Sequence, residues 1–339
     1  MKQWVDQHEL RARTKQSWRR WLFGGSAKDE KFIVDTGFHW GEWWRPGGLG
    51  PWTAFKDLFL LPNVAIPTAY FTIGCRTLSM AASKLDHEED ASYYKSLFER
   101  VTQVWNKSFV RQNGSRIGDD YQDDYVRAVK FSLIPEEQHA AALARLAELV
   151  RDNDYHLGTG FLSTGLLLPA LCNAEYTDEA FKVLLQTSSP SWLNAIELGA
   201  TSIWETWEGY NAKGEATTSH NHYSLGSVSG WFIEGLAGLS RASPGWRHIL
   251  IAPQVAGTLT HASGSVFTPY GKLSSSWKKI GKEVTLEITI PAGTTAQVRL
   301  GAKTFEDVGS GSHKFSAVLD VYFRYAVVAD FSVCIVQLR

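Results

Sequence analysis

The stretch Ala91-Ser-Tyr-Tyr-Lys-Ser-Leu-Phe-Glu-Arg-Val-Thr-Gln-Val-Trp-Asn-Lys-Ser-Phe-Val110 places Tyr94, Leu97, Phe98, Val101 and Trp105 at i, i+3, i+4, i+7 and i+11. That period is the mark of one apolar helix face. Outward from it, the same logic predicts a helix over 68–85, with Pro67 suited to its first turn. Further helices are predicted over 121–133, over 161–172 and over 177–186. Another opens at Pro135, with Leu143, Leu146, Ala147 and Val150 on one face. Residues 1–22, carrying Trp4, Val5, His8, Arg11, Arg13, Trp18 and Trp21, read as a mixed helical stretch ending at Phe23-Gly-Gly25. Residues 223–239 read as a small-residue-rich helix suited to close packing. Antiparallel helices with short and long connections in alternation predict a mainly α fold of α/α barrel or toroid type.

Around Pro244 the period changes. Glu283-Val-Thr-Leu-Glu-Ile-Thr-Ile290 alternates polar and apolar at every step, as a half-buried strand does. Residues 261–267, 273–277 and 295–300 read as its companions, with turns at Pro269-Tyr-Gly271 and Pro291-Ala-Gly293. The expected organisation is a helical domain over 1–243, a small antiparallel β-sandwich over 244–316, and a divergent tail over 317–339.

With 339 residues, 44% of them hydrophobic and 20% charged, the chain can bury a substantial core. Its 34 basic and 35 acidic side chains give a formal net charge of −1, so no basic bias points to nucleic acid or an anionic membrane surface. The apolar tail over 317–336 carries Asp320, Arg324 and Asp330, too many charges for a bilayer span. Cys75, Cys172 and Cys334 are odd in number and far apart. That excludes a disulfide framework and a CxxC metal site, and the three read as buried free thiols. No cofactor is expected. The first ten residues are polar and unlike an export signal. Sequons at Asn106-Lys-Ser108 and Asn113-Gly-Ser115 leave the compartment open, and a homo-oligomer is likewise left open.

The 14 Trp, 12 Tyr and 17 Phe suit either a large core or carbohydrate recognition. They concentrate in two places. The loop Gly37-Phe-His-Trp-Gly-Glu-Trp-Trp-Arg-Pro-Gly-Gly48 is too aromatic to be a plain connection. The stretch Ala200-Thr-Ser-Ile-Trp-Glu-Thr-Trp-Glu-Gly209, followed by His220-Asn-His-Tyr223, sets Glu205 and Glu208 among Trp204 and Trp207 with two imidazoles close behind. Indoles stack on the apolar face of a sugar, and carboxylates act as general acid or base. A buried tryptophan cluster with glutamates at its solvent edge fits the same residues equally well. Asp119-Asp-Tyr-Gln-Asp-Asp124 reads as a solvated helix N-terminus.

Several ordered motifs together carry a resemblance. His156-Leu-Gly-Thr-Gly-Phe-Leu-Ser-Thr-Gly-Leu-Leu-Leu-Pro-Ala-Leu171, Leu184-Leu-Gln-Thr-Ser-Ser-Pro-Ser-Trp-Leu193, Gly199-Ala-Thr-Ser-Ile-Trp-Glu-Thr-Trp-Glu-Gly209 and Asn221-His-Tyr-Ser-Leu-Gly226 resemble segments of bacterial and fungal α-L-rhamnosidases, in the same order. Trp40-Gly-Glu-Trp43 looks like that family's Gly-Asp-Trp loop. Ile249-Leu-Ile-Ala-Pro253 and Thr268-Pro-Tyr-Gly271 resemble the start of its C-terminal β-domain, and the likeness ends near residue 316.

The resemblance implies an (α/α)6 barrel and an inverting glycosidase. In such an enzyme two carboxyl groups stand roughly 6.5–9.5 Å apart to seat a water. By motif position Glu205 would be the general base, His222 a sugar contact, and Trp43 the partner of the C5-methyl side of rhamnose. Trp204 and Trp207 would shape the pocket and raise the carboxyl pKa by excluding water. Glu42 stands where the family has aspartate, as a loop-positioning or turn-capping group, and Glu208 is a substrate or structural partner. His220 is read as packing. The family's general acid lies in an Arg-Asp-Glu-Arg-like stretch, and nothing in these 339 residues matches it. The expectation is therefore a barrel incomplete at its N-terminus that carries the base without the acid. Its alternatives are a non-catalytic carbohydrate-binding remnant or a gene-model fragment.

Overall fold

The computed structural model describes residues 1–14, 32–47 and 63–319. They form two compact units, divided between Leu166 and Leu167.

In the first unit, α1 (Lys2–Thr14) accompanies a hairpin of α2 (Ala65–Lys84) and α3 (Glu88–Phe109). Glu88, Glu89 and Asp90 fill the first turn of α3, where the helix dipole favours negative charge. The predicted face of α3 is realised: Tyr94, Leu97 and Val101 pack with Val5, Val34, Phe71 and Cys75 in one buried cluster, and Phe98 flanks it. Trp105 is buried too, its Nε1 donating to the Ala65 carbonyl at 2.9 Å across the hairpin. Each large apolar side chain removed from water contributes roughly 1.5–3 kcal/mol, so this face holds the hairpin closed. A short ladder of β1 (Val110–Arg111) and β2 (Arg116–Ile117) leads to α4 (Gln122–Lys130). Pro135 precedes a single 3-10 turn (Glu136–Gln138), and α5 (His139–Asp152) buries Ala142, Leu146, Ala147 and Val150.

The division between units falls inside α6 (Thr164–Asn173). In the second unit, α7 (Thr177–Leu184) buries Ala180, Phe181, Val183 and Leu184, and α8 (Trp192–Glu197) is capped by the Ser191 hydroxyl, which accepts from the Asn194 amide. The helix expected over 223–239 does not form as one element. It breaks into a 3-10 turn (Ser224–Ser227), the four-residue α9 (Val228–Trp231) and a π turn (Phe232–Leu236). Gly226, Gly230, Gly235 and Gly238 dilute its helix propensity, and Gly238 adopts φ +72°. A Cβ on Gly238 would lie 2.2 Å from the Pro253 nitrogen, so only glycine lets the chain turn here into the first strand of the sandwich.

Two four-stranded sheets follow. One has the order β10 (Gly311–Val318), β7 (Glu283–Ile290), β6 (Gly271–Ile280), β5 (His261–Thr268). The other runs β3 (Leu239–Arg241), β4 (His248–Ile251), β8 (Thr295–Leu300), β9 (Lys303–Val308). Within this sandwich every pairing is antiparallel except β4 with β8, which is parallel. The inward residues of the predicted alternation, Val284, Leu286, Ile288 and Ile290, meet Leu273, Trp277, Val298 and Leu300 in one core. Strands β3, β4, β9 and β10 of the sandwich were not expected from periodicity. Residues 317 and 318, assigned to the tail, belong to β10. Residues 15–22 of the expected first helix and 320–339 of the tail, with Cys334, lie outside the described residues, as does Gly48 of the aromatic loop. Cys75 and Cys172 are buried free thiols. Among the described residues no helix is long and apolar enough to cross a membrane.

Candidate active site

In the second unit, the Trp-Glu-Thr-Trp-Glu stretch forms an irregular ladder with the residues that follow it. Glu205 N donates to the Ser219 carbonyl at 2.9 Å, Thr217 N to Gly209 O at 2.9 Å, and His222 N to Ile203 O at 2.8 Å. These bonds bring Glu205 and His222 into one short segment although 17 positions separate them. The Glu205 side chain is half-buried, and its Oε2 accepts from the Ser219 amide at 3.1 Å. Such a bond holds a carboxylate in one rotamer. His222 Nδ1 accepts from Ser224 N at 3.3 Å, so a neutral imidazole carries its proton on Nε2.

Trp204 and Trp207 are buried beneath this ladder. Trp204 stacks on His220 at 4.7 Å and meets Tyr210 edge-on at 5.3 Å, while His220 Nε2 lies 2.7 Å from Gly209 O. Trp207 meets Trp192 edge-on at 5.7 Å. Its Nε1 is buried with no hydrogen-bond partner among the described residues. A Cβ on Gly209, at φ +66°, would stand 2.0 Å from the Trp204 ring. The indoles therefore set the shape of the loop from below, and Glu208 is exposed at its edge.

In the first unit, the aromatic loop is tied down by buried charge. Glu42 Oε1 accepts from Ser163 N at 2.9 Å, and Oε2 from the Ser163 hydroxyl at 3.0 Å and from Arg127 Nη1. The Arg127 and Glu42 side chains are 1% and 2% exposed. Arg127 also donates to Ser163 Oγ at 2.9 Å, to Asp123 at 2.6 Å and to Asp124 at 3.1 Å. Arg45 reaches Asp123 at 3.2 Å, its guanidinium 3.7 Å from the Tyr121 ring centroid. Trp43 and Trp44 thus sit between two buried ionic anchors. Phe161 N donates to Trp43 O at 2.9 Å, and a Cβ on Gly160 would come within 2.3 Å of that oxygen.

This corrects the expectation for Asp119-Asp-Tyr-Gln-Asp-Asp124. Asp123 and Asp124 are buried, because Arg127 one turn on and Arg45 from the loop neutralise them. Asp124 also accepts from the Asp119 and Tyr121 amides. Three carboxylates face two guanidiniums in this cluster, leaving one negative charge in excess. Burial accordingly pushes Glu42 up to about 7 against the attraction of Arg127, with the Asp123 charge adding to the rise. Asp124 rises to about 7 for the same two reasons, and the carboxylates keep Arg127 charged despite its burial.

Arg127, Asp123, Asp124, Ser163 and Arg45 were not anticipated as site-supporting residues. The placing of Asp123 and Asp124 four and three positions before Arg127 was the available signal. Among the described residues no group of three or more His, Cys, Asp or Glu side chains could hold a metal ion.

With this geometry in view, comparison with known proteins gives a consistent answer. Residues 1–236 match the model of the bacterial alpha-L-rhamnosidase 6 hairpin glycosidase domain, and residues 238–315 that of the bacterial alpha-L-rhamnosidase C-terminal domain. An alpha-L-rhamnosidase of Streptomyces avermitilis is 33% identical over 297 residues, covering 80% of this chain and 28% of that protein. One from Alteromonas sp. is 30% identical over 308 residues, 88% of this chain and 31% of its own. The chain thus spans about a third of the length of the curated relatives it matches. The crystal structure of the native Aspergillus terreus enzyme superposes with a TM-score of 0.77 at 31% identity, over 85% of this chain and 35% of that one. The Streptomyces avermitilis enzyme complexed with L-rhamnose gives 0.75 at 28%, over 94% and 31%. The chain belongs to the bacterial α-L-rhamnosidase family, with a six-hairpin glycosidase domain followed by the family's sheet-rich C-terminal domain.

Proposed function

We propose that this chain carries the general-base side of an inverting rhamnoside hydrolase acting on terminal α-L-rhamnose. Glu205 takes a proton from the water that attacks the anomeric carbon, while a second carboxylic acid protonates the departing oxygen as the glycosidic bond breaks. His222 hydrogen-bonds the sugar through Nε2. Trp43 meets the C5-methyl side of the ring, and Glu42 acts through the loop that bears Trp43. Trp204 and Trp207 shape the segment that carries the base, and Glu208 serves as a polar partner at its rim. The helical catalytic module drawn over 1–243 and the sandwich drawn over 244–316 need their shared boundary moved back, because β3 at 239–241 already pairs with β4, and the sandwich extends to 318 through β10. The observation that carries this reading is the half-buried Glu205 carboxylate held by the Ser219 amide, on the same ladder as the His222 backbone.

An aryl rhamnoside is the discriminating substrate, because a phenolate leaves with little help from an acid. Purified chain should hydrolyse para-nitrophenyl α-L-rhamnoside, and Glu205→Gln should lower the rate by at least about 100-fold, the scale of a lost general base. Equal rates in the two proteins would reject Glu205 as the base. As a second reading, the exposed rings of the aromatic loop also fit a protein that binds rhamnose without turnover. Titration with rhamnose in the absence of hydrolysis, from protein with a cooperative melt, would select it.

A further inference from the structure

Behind the aromatic loop, Glu42, Asp123 and Asp124 meet only Arg127 and Arg45 as countercharges among the described residues. Asp123 and Asp124 are as fully buried as Glu42 and Arg127, and the Arg45 side chain is only 14% exposed. Fully ionised, the group carries an uncompensated negative charge where water cannot screen it, a costly arrangement in a protein interior. One added proton makes it neutral. Asp123 is matched by both guanidiniums, so the proton falls to Glu42 or Asp124, which share Arg127 between them. The rise of both toward neutrality follows the same logic.

The groups that face this pair from neighbouring elements do not take up the change. Tyr70 on α2 stays neutral, because burial and the Glu42 charge push its hydroxyl up to about 12. Tyr121, just before α4, lies with its ring against Arg45, and Ser163 offers only a hydroxyl and an amide. Asp119 presents its amide to Asp124, while its carboxylate meets Asn63. On the loop itself, burial lowers the His39 pKa, so that imidazole is uncharged where the carboxylates titrate.

Relief of the excess charge can come from one side. Asp123, Asp124 and Arg127 are on α4, and Ser163 stands just before α6, whereas Glu42 and Arg45 belong to the loop. Letting water in therefore means lifting the loop, with Trp43 between its two anchors, and not breaking a helix. We propose that this cluster is a proton-operated latch: with one proton shared by Glu42 and Asp124 the loop stays seated, and loss of that proton lifts Trp43 and its neighbours. The latch lies within the first unit. Its effect on sugar binding rests on the reading of Trp43 given above. The seated state holds the extra proton, so acid favours it, and its advantage fades as pH rises toward neutrality.

The test is hydrogen exchange of the full chain, read at the Phe161 amide, which donates to the Trp43 carbonyl and is freed when the loop lifts. Corrected for the intrinsic pH dependence of exchange, its protection relative to the Leu146 amide in α5 should fall about tenfold from pH 6 to pH 8 and little beyond, as release of a single proton requires. Glu42→Gln and Asp124→Asn each leave two carboxylates against two guanidiniums with no proton needed, so each should flatten the profile. A merely structural role would weaken protection at every pH and keep the slope. A flat profile in the parent protein, or a slope that survives either substitution, overturns the latch. Rhamnose titration separates the two readings. If Trp43 meets the sugar, the parent protein loses affinity over the same range, and Glu42→Gln removes that component of the loss. Rhamnose affinity that ignores a working latch leaves the inference standing and rejects Trp43 as the sugar contact.

Discussion

At the scale of single residues, the buried carboxylates make the sharpest statement. Glu42 and Asp124 rise from ordinary values near 4.5 and 3.8 to about 7 in the folded protein, because water is excluded and Asp123 adds negative charge. Between roughly pH 4 and 7 the folded chain therefore holds more protons than the unfolded one, and their contribution to stability declines as pH rises through that window. Unfolding midpoints should be a few degrees lower at pH 8 than at pH 5, and Glu42→Gln should shrink the difference by removing one of the two groups. An undiminished difference in the variant would place the titration elsewhere. The loop motif singles out Glu42 and Trp43 in the sequence, but gives no sign of the buried groups that anchor them. Asp119-Asp-Tyr-Gln-Asp-Asp124 looks solvated in sequence because a run of acids usually is, and only the arrival of Arg45 and the orientation of Arg127 make burial of the last two tolerable.

At the scale of elements, two glycines control where the site loops can sit. Gly160 presses its backbone against the Trp43 carbonyl, so Gly160→Ala must displace the loop. The expected cost is about 1–3 kcal/mol in a denaturant melt, the range for overpacking. A loss of rhamnose affinity larger than that of a surface control should accompany it. An alanine tolerated without change in either quantity would show that the loop is not seated there. Around Glu205, Gly209 performs the same service under Trp204. The periodic helices α2, α3, α5 and α7 were legible because each buries one continuous face. The segment over 223–239 was misread because its small residues fit a helix by packing, yet its glycines and the tight approach to Pro253 favour turns and an early strand.

At the scale of the whole molecule, each unit carries candidate residues of its own: Glu42 and Trp43 lie in the first, Glu205 and His222 in the second. The sandwich has its own core, in which Trp277 is nearly sealed from solvent and donates from Nε1 to Leu236 O at 2.7 Å. Trp277→Ala should destabilise the protein by about 3–5 kcal/mol, read as an earlier transition in differential scanning calorimetry. An unshifted thermogram would mean that this core does not limit stability. Residue order by itself determined the alternation of helical hairpins, the change to strands near Pro244, and, through several motifs in fixed order, the family. Those properties are local, since a period of 3.6 or 2 and a motif are written in adjacent positions. Tertiary structure alone decided which acids are buried, which arginine meets Glu42 and how the tryptophans divide between support and exposure. Glu42 and Arg127 are 85 positions apart, and Glu42 and Ser163 are 121 apart. Pairings at that distance depend on the path of the chain and on the exclusion of water around it, neither of which any short stretch encodes.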